Sequence, residues 1–353
     1  MTMLLDSSRP LASIAVFRAL QLGDLLCAVP ALRALRRAFP RAHIALIGLE
    51  GAREFRDRFQ SYVDELIRFP GIPEFPEQPA SPQELPDFFE QMRQRRFDVA
   101  LQLHGSGASS NALVQKLGAA RWGGFVPDAN GEVPGLCMAW PDGLPEPRRY
   151  LALLRHLGID ASDDRLEFRC TEADRRAAQY LLRAHALDPA RLVLMHIGAR
   201  LPSRRWPLDR YARVATSLAG QGWQVALTGT SAERDMVDQL RREAAVPLAD
   251  LCGATGLGSL AALVGACRLL ICNDTGISHV AAAMGAPSVV IACGSDAQRW
   301  APLDSQRHRV LAASAPCRPC AFHECPIGHP CALAVMVPQV LDQARRQLER
   351  SAP

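Results

Sequence analysis

Short runs of β-branched and apolar residues alternate along this chain with longer stretches whose apolar positions recur at helical spacing, which predicts strand and helix in turn. Ser13 to Phe17 reads as a strand, and Arg18-Ala19-Leu20-Gln21-Leu22-Gly23-Asp24 follows it. A helix is predicted from Leu25 to Phe39, with Leu25, Ala28, Val29, Leu32 and Leu35 on one face and Arg33, Arg36 and Arg37 largely off it. His43 to Gly48 makes a second strand. Phe69 to Pro82 is proline-rich and reads as a surface loop before a helix from Gln83 to Arg95. Asp98 to Leu103 is another strand, with His104-Gly105-Ser106-Gly107 after it. A helix from Asn111 to Leu117, a short strand from Arg121 to Phe125 and a helix from Arg148 to Leu157 complete this half. Between the last two, residues 126–147 hold five prolines and three glycines and read as loop.

The second half repeats the pattern. A helix over Glu172 to His185 precedes the strand Leu192 to His196, and a polar, basic loop, Ile197 to Pro207, leads into a helix through Leu218. Gln224 to Thr228 is a strand, Gly229-Thr230-Ser231 a small-residue turn, and Glu233 begins a helix. Leu248 to Leu251, a helix from Ser259 to Ala266 and a strand from Arg268 to Cys272 follow, then a turn at Asp274, a helix from Val280 and an apolar run from Pro287 to Ala292. This order implies an α/β fold of two Rossmann-like doubly wound domains facing a cleft. The expected division is residues 1–165 and 166–336, with the amphipathic helix at about 337–353 packing back on the first domain.

Candidate chemistry lies at the turns, because open α/β sheets bind ligands at the carboxyl ends of their strands. Asn273-Asp274-Thr275-Gly276-Ile277-Ser278-His279 sits between a strand and a helix. Unpaired N–H groups at a helix N-terminus, with hydroxyls from Thr275 and Ser278 and close approach at Gly276, suit a phosphate. The plain alternative is that Asp274 or Thr275 caps the helix. Asp24 has the same two readings, N-cap or a carboxylate able to accept a proton from a hydroxyl. His104 can contact substrate or be an ordinary loop histidine.

Composition narrows the class further. The chain has 353 residues, 48% hydrophobic and 22% charged, so it is long enough for two cores of a soluble globular protein. A net charge of +4 does not call for nucleic acid, and nearly all the positive charge is arginine, Lys116 being the one lysine. The first residues lack the basic and apolar regions of a signal peptide, and no apolar run of spanning length survives its interruptions. Eleven cysteines in such a chain point to reduced thiols. Cys317, Cys320, Cys325 and Cys331 cluster within 15 residues, a grouping that can bind zinc or iron or serve as a reduced structural loop.

Taken together, Arg18 to Asp24 followed by Val29-Pro30-Ala31-Leu32, the loop Ser203-Arg204-Arg205-Trp206-Pro207, Asn273 to His279 with Ala281-Ala282, and Cys293-Gly294-Ser295-Asp296 with Arg299-Trp300 and Pro302 resemble glycosyltransferase family 9. These are the heptosyltransferases of lipopolysaccharide core synthesis, and the likeness covers nearly the whole chain in order. It implies the two-domain type B glycosyltransferase fold, with the acceptor held by the N-terminal domain and the nucleotide-sugar by the C-terminal one. It further implies an inverting mechanism in which Asp24 deprotonates the acceptor hydroxyl and Arg204 adds a cation at the leaving diphosphate. Ser203, Glu233, Asp274, Thr275, Gly276, Ser278 and His279 are the implied donor-binding residues, Glu233 toward the ribose. Relatives commonly carry lysine where this chain has Arg204, so the charge is kept and its geometry differs.

The resulting expectation is transfer of a heptose, from ADP-heptose, to a lipopolysaccharide core or related surface glycan. The partners are a nucleotide-sugar donor and a lipid-linked glycan acceptor, with no nucleic acid and no required cofactor. The location is cytoplasmic with peripheral contact at the inner membrane. Two alternatives stand beside it: the same fold with another nucleotide-sugar and acceptor, or a non-catalytic nucleotide-sugar or metal-binding protein.

Overall fold

The computed structural model describes residue 5 and residues 10–127, 133, 136–320 and 322–350. Most of the N-terminal segment, parts of the loop expected at 126–147, and the last three residues of the C-terminal helical stretch lie outside these. The chain divides into two compact units, Met1–Leu166 and Glu167–Pro353.

Unit 1 holds strands β1 (Ser13–Phe17), β2 (His43–Gly48), β3 (Glu65–Arg68), β4 (Val99–Gln102), β5 (Arg121–Val126) and β6 (Leu136–Ala139). Its helices are α1 (Leu22–Ala38), α2 (Arg53–Arg58), α3 (Leu85–Arg95), α4 (Asn111–Lys116) and α5 (Glu146–His156). The six strands pair in the order β3-β2-β1-β4-β5-β6, every pair parallel. Parallel strands are covered on both faces, and the central ones here are accordingly apolar throughout: Ile14 to Phe17 and Val99 to Leu101 are all buried. β3 and β6 stand at the two edges, β6 within the expected loop and β3 in a stretch to which the sequence reading assigned no element. Their brevity and, in β3, the polar Glu65 and Arg68 conceal the period that marks a strand.

Unit 2 holds β7 (Leu192–His196), β8 (Gln224–Gly229), β9 (Ala249–Cys252), β10 (Leu269–Asn273), β11 (Ser288–Ile291) and β12 (His308–Leu311). The helices are α6 (Glu172–Ala184), α7 (Leu208–Gly220), α8 (Arg234–Glu243), α9 (Leu257–Ala266), α10 (Gly276–Met284), α11 (Ala297–Trp300), α12 (Pro330–Leu333) and α13 (Val337–Arg350). The parallel order β12-β11-β10-β7-β8-β9 is the strand order of unit 1 over again, with β7 in the place of β1 and β10 in that of β4. Each sheet therefore reverses its direction of growth once, between β1 and β4 and between β7 and β10.

One expectation is corrected. The C-terminal helix α13, read as packing back on the first domain, instead contacts α7, β10, β11 and β12 of unit 2. Its Val340, Ala344 and Leu348 are buried in the same core as Trp206, Tyr211 and Val289, and Arg268 donates to the Leu348 carbonyl at 3.1 Å. The apolar stripe finds its partner on the sheet reached directly from Met336. Among the described residues no helix is long and apolar enough to cross a membrane.

Candidate active site

The point where strand order reverses leaves a crevice at the carboxyl edge of an open α/β sheet. In unit 2 that point lies between the loop after β7, residues 197–207, and the turn after β10, residues 274–275. Asn273, at the end of β10, ties them together. Fully buried, it accepts from the Trp206 amide at 3.0 Å and the Tyr211 hydroxyl at 3.1 Å, and donates to the carbonyls of Ile197 at 2.7 Å and Gly198 at 3.3 Å. All of its amide's capacity goes to fixing the two loops against each other. Trp206 is core: its indole N–H donates to Val335 and its ring meets Tyr211 edge-on.

The turn that Asn273 positions opens directly into α10. Asp274, Thr275 and Gly276 are half-buried there, and Thr275 occupies the N-cap without a side-chain capping bond. Its hydroxyl is not committed to the helix, and the first backbone N–H groups point out of the N-terminus with the positive end of the helix dipole. Gly285, in the left-handed conformation at φ 68°, closes the same helix. Ser278 differs from expectation in its placement: it is fully buried, and its hydroxyl donates to the Thr275 carbonyl at 2.8 Å. His279 is also buried, its ring 6.2 Å from that of Trp300.

From the other loop, Arg204 ends a 3-10 turn over Pro202–Arg204 and is half-buried, its Nη2 donating to the Cys320 carbonyl at 2.9 Å. Its Nε is buried without a hydrogen-bond partner. Ser203 is almost fully buried, and its hydroxyl donates to the Phe322 carbonyl at 2.6 Å. The serine thus anchors the loop, while the arginine keeps donor capacity.

The cysteine segment is what these residues lean on. His329 Nε2 lies 2.9 Å from the Ser203 carbonyl, the Cys320 amide donates to Gly294 at 2.6 Å, and Arg318 donates to the carbonyls of Ala292 and Ala313, both at 3.0 Å. Cys317, Cys320, Cys325 and Cys331 are free thiols, and among the described residues no group of three or more His, Cys, Asp or Glu side chains is arranged to hold a metal.

After β8, the neighbour of β7, Glu233 completes a capping box, its Oε2 accepting from the Thr230 amide at 2.7 Å and hydroxyl at 3.0 Å. The other oxygen presses on Gly198, where a Cβ would stand 1.5 Å from Oε1, so any side chain there would push the Glu233 carboxylate aside. Two residues of this neighbourhood entered the sequence reading only as members of motifs. Ser295 is buried with its hydroxyl unpartnered, and Asn273 was quoted in a motif without a task, although an amide ending a buried strand is itself a signal for one.

In unit 1 the corresponding point lies between the loop after β1 and the loop after β4. Asp24 stands in the first turn of α1 with a half-buried carboxylate. Arg18, fully buried, donates through Nε to the Asp24 carbonyl at 2.8 Å, and its Nη2 lies 3.9 Å from Asp24 Oδ1. His104, two residues after β4, stacks on Phe75 at 4.2 Å between ring centres. Burial first, and the nearby Arg18 charge second, lower its pKa to about 3, so it is neutral at physiological pH. Arg33, Arg36 and Arg37 pair with Asp163, Asp64 and Asp160, which accounts for that basic stripe within unit 1.

The profile of glycosyltransferase family 9 (heptosyltransferase) matches residues 86–330 of this sequence, well over half its length. The chain belongs to glycosyltransferase family 9. It is a glycosyltransferase with the two-Rossmann-domain, type B fold of that family. It is similar to the family 9 glycosyl transferase of Veillonella parvula (23% identity over 98% of both chains, TM-score 0.79). It is also similar to the ADP-heptose lipopolysaccharide heptosyltransferase II of E. coli (22% identity over 96% of this chain and 100% of that one, TM-score 0.71). A third likeness is to the E. coli heptosyltransferase WaaC solved with ADP, at 18% identity over 96% and 100% of the chains and a TM-score of 0.64. No curated protein matched the sequence.

Proposed function

We propose that this family 9 member transfers a heptose from ADP-heptose, with inversion, to a lipopolysaccharide core or related surface glycan at the cytoplasmic face of the inner membrane. The observation that carries the reading is the α10 N-terminus at the switch point of unit 2, with Thr275 and Gly276 exposed enough to meet a ligand and Arg204 on the facing loop. Such an end takes a diphosphate. The likeness to an E. coli enzyme named for ADP-heptose and to one solved with ADP supports adenosine as the nucleoside.

In this reading unit 2 binds the donor and unit 1 the acceptor. The Asp24 carboxylate takes the proton of the acceptor hydroxyl, whose oxygen attacks the anomeric carbon. The bond from that carbon to the diphosphate oxygen breaks, and its electron pair leaves with ADP. The negative charge that develops there is met by the backbone N–H groups of α10, the Thr275 hydroxyl and Arg204, groups fixed before the reaction begins. Glu233 Oε1 accepts from a ribose hydroxyl, while Ser203, Ser278 and His279 shape the pocket from behind. The cysteine segment serves as the wall that holds Arg204, and zinc or iron has no part in the steps named.

Calorimetric titration of the purified protein with ADP-heptose, beside ADP, UDP-glucose and GDP-mannose, tests the donor. Selective binding of ADP-heptose that weakens about tenfold or more in Arg204→Ala is the expected result, a charge-assisted bond being worth about 1.5–3 kcal/mol. A preference for UDP-glucose or GDP-mannose would overturn the heptose assignment and leave the fold untouched.

A further inference from the structure

Arg18 is a fully buried cation to which the transfer chemistry gives no task. Besides its bond to the Asp24 carbonyl, its Nη1 donates to the Leu103 carbonyl and the Tyr150 hydroxyl oxygen. Its Nη2 has no partner at hydrogen-bond distance and lies near two carboxylates, 3.9 Å from Asp24 Oδ1 and 3.7 Å from Glu146 Oε1. Glu146, in the first turn of α5, is itself fully buried, accepts from the Tyr150 hydroxyl, and meets Arg149 at 4.0 Å on its other oxygen. Two guanidinium groups and two carboxylates gather here, and only Asp24, 23% exposed, has appreciable contact with solvent.

The charges in this group pull a general base in opposite directions. A cation about 4 Å from a carboxylate favours its ionised form. A carboxylate held ionised too firmly is a poor proton acceptor, because base strength and proton affinity fall together. An isolated buried guanidinium would do this to Asp24 and would also be costly to bury. Glu146 supplies a counter-charge to the same nitrogen.

We propose that Arg18 and Glu146 are a positioning pair for Asp24: the guanidinium fixes where the carboxylate stands, and the Glu146 charge near it keeps Asp24 basic enough to take the acceptor proton. This rests on the reading of Asp24 as the base. The charged and titratable groups facing the pair are Asp24 and Cys27 from α1, His104 after β4, and Arg149 and Tyr150 from α5. His104 is neutral above about pH 3, so it adds no charge in the working range. Burial disfavours the Arg18 charge, yet Tyr150, Asp24 and Glu146 outweigh it and raise the guanidinium pKa, so Arg18 stays a cation throughout.

The test is the pH profile of kcat and kcat/KM for the full-length protein, with ADP-heptose as donor and heptose-deficient lipopolysaccharide as acceptor. In Glu146→Gln the uncompensated guanidinium holds Asp24 ionised more firmly, so the acid-side limb moves to lower pH by about one unit. The plateau kcat falls by at most about tenfold as the base weakens, and the donor KM stays unchanged. Tyr150→Phe, which deprives the Glu146 carboxylate of a donor, moves the limb the same way by less, and Glu146→Asp restores most of the wild-type profile. A merely structural role for Glu146 would scale activity equally at every pH. If Asp24→Asn keeps wild-type turnover, the base assignment itself fails. If Asp24→Asn is inactive while Glu146→Gln and Tyr150→Phe leave the limb where it was, the base stands and the positioning pair is overturned; should Glu146→Gln not fold, Tyr150→Phe decides alone.

Discussion

The loops at the switch point of unit 1 and those at the switch point of unit 2 occupy the same places in the same strand order, yet they are built from opposite materials. Around Asp24 the fold has buried formal charges, Arg18, Arg149 and Glu146, and aimed one of them at a carboxylate that reaches solvent. Around the α10 N-terminus it has buried a neutral amide, Asn273, which spends every hydrogen bond on backbone and on Tyr211. A site that must move a proton needs a titratable group with a controlled environment. A site that must receive a charged leaving group needs donors that are already in place, and backbone N–H groups held by a rigid neutral hub serve that purpose. The shared topology supplies the crevice, and the side chains decide its chemistry.

The largest effect that would sharpen this contrast is expected in unit 1. Asp24→Asn should lower kcat by about 10²- to 10⁴-fold, the range general bases contribute. The asparagine keeps size and first-turn placement, so thermal stability and ADP-heptose affinity should hold. Loss of donor affinity in this variant would mean that the residue shapes the fold or the donor pocket, and the division between a chemical site and a binding site would collapse.

The reciprocal change in unit 2 is Asn273→Ala. It leaves the Trp206 amide, the Tyr211 hydroxyl and two carbonyls without their partner, all in the interior. Unpaired buried groups cost about 1–3 kcal/mol each and do not add simply, so a destabilisation of about 3 kcal/mol is expected in denaturant unfolding. Donor affinity should fall with it, and the acid-side limb of the kcat profile should stay where it is. A variant of full stability would show that Asn273 is not the hub its bonds describe.

A smaller effect is expected at Gly198, where an added Cβ would meet Glu233 Oε1 at 1.5 Å. The Glu233 carboxylate ends a flexible side chain, so it gives way and the capping box with Thr230 opens. Loss of a cap is worth about 1 kcal/mol of stability. If Glu233 holds the ribose, Gly198→Ala raises the donor KM by about tenfold, one hydrogen bond to a charged group, with kcat little changed. An unchanged KM would leave Glu233 as a cap alone.

Much of this was legible in the sequence, and what was not has physical reasons. The central strands β1, β2, β4, β7, β8, β10 and β11 are apolar on both faces, so they stand out as runs, and the turns after them follow. β3, β6 and β12 are edge strands carrying residues such as Glu65, Arg68, His308 and Arg309, which no periodicity marks. Asp24 and the Thr275-Gly276 turn were singled out because each sits in a strand-turn-helix unit, and Arg204 because its loop resembles the family's. Ser278 was read as a donor contact from its residue type and Ser203 from the resemblance, and only the folded structure shows their hydroxyls bonded to Thr275 and Phe322. Glu146 and Tyr150 were invisible because what makes them matter is proximity to Arg18, which is far away along the chain and set by the packing of α1 against α5.

The last expected effect concerns acid, and it bears on the two units unequally. Burial, the leading cause in each case, lowers the pKa of three histidines: His104 to about 3 in unit 1, and in unit 2 His308 to about 4 and His196 likewise downward. Each is depressed from the ordinary value of 6.5, so below that pH the unfolded chain binds protons that the folded one does not. Stability from these groups is therefore full above about pH 6.5 and is lost as pH falls toward the folded values, by at most about 1.4 kcal/mol per pH unit for each group. Between about pH 6.5 and 5 the carboxylates have not yet begun to titrate and the histidines act alone. With two such groups against one, unit 2 should lose protection faster than unit 1. Hydrogen exchange of the β7, β10 and β11 amides, compared with those of β1 and β4 across that interval, reads the difference directly. His308→Gln, which keeps a polar partner for the Ser288 hydroxyl now 2.9 Å from its Nδ1, should narrow it. Equal losses in the two sheets would show that the buried histidines do not set the acid response, and that the neutral construction of unit 2 costs it nothing in acid.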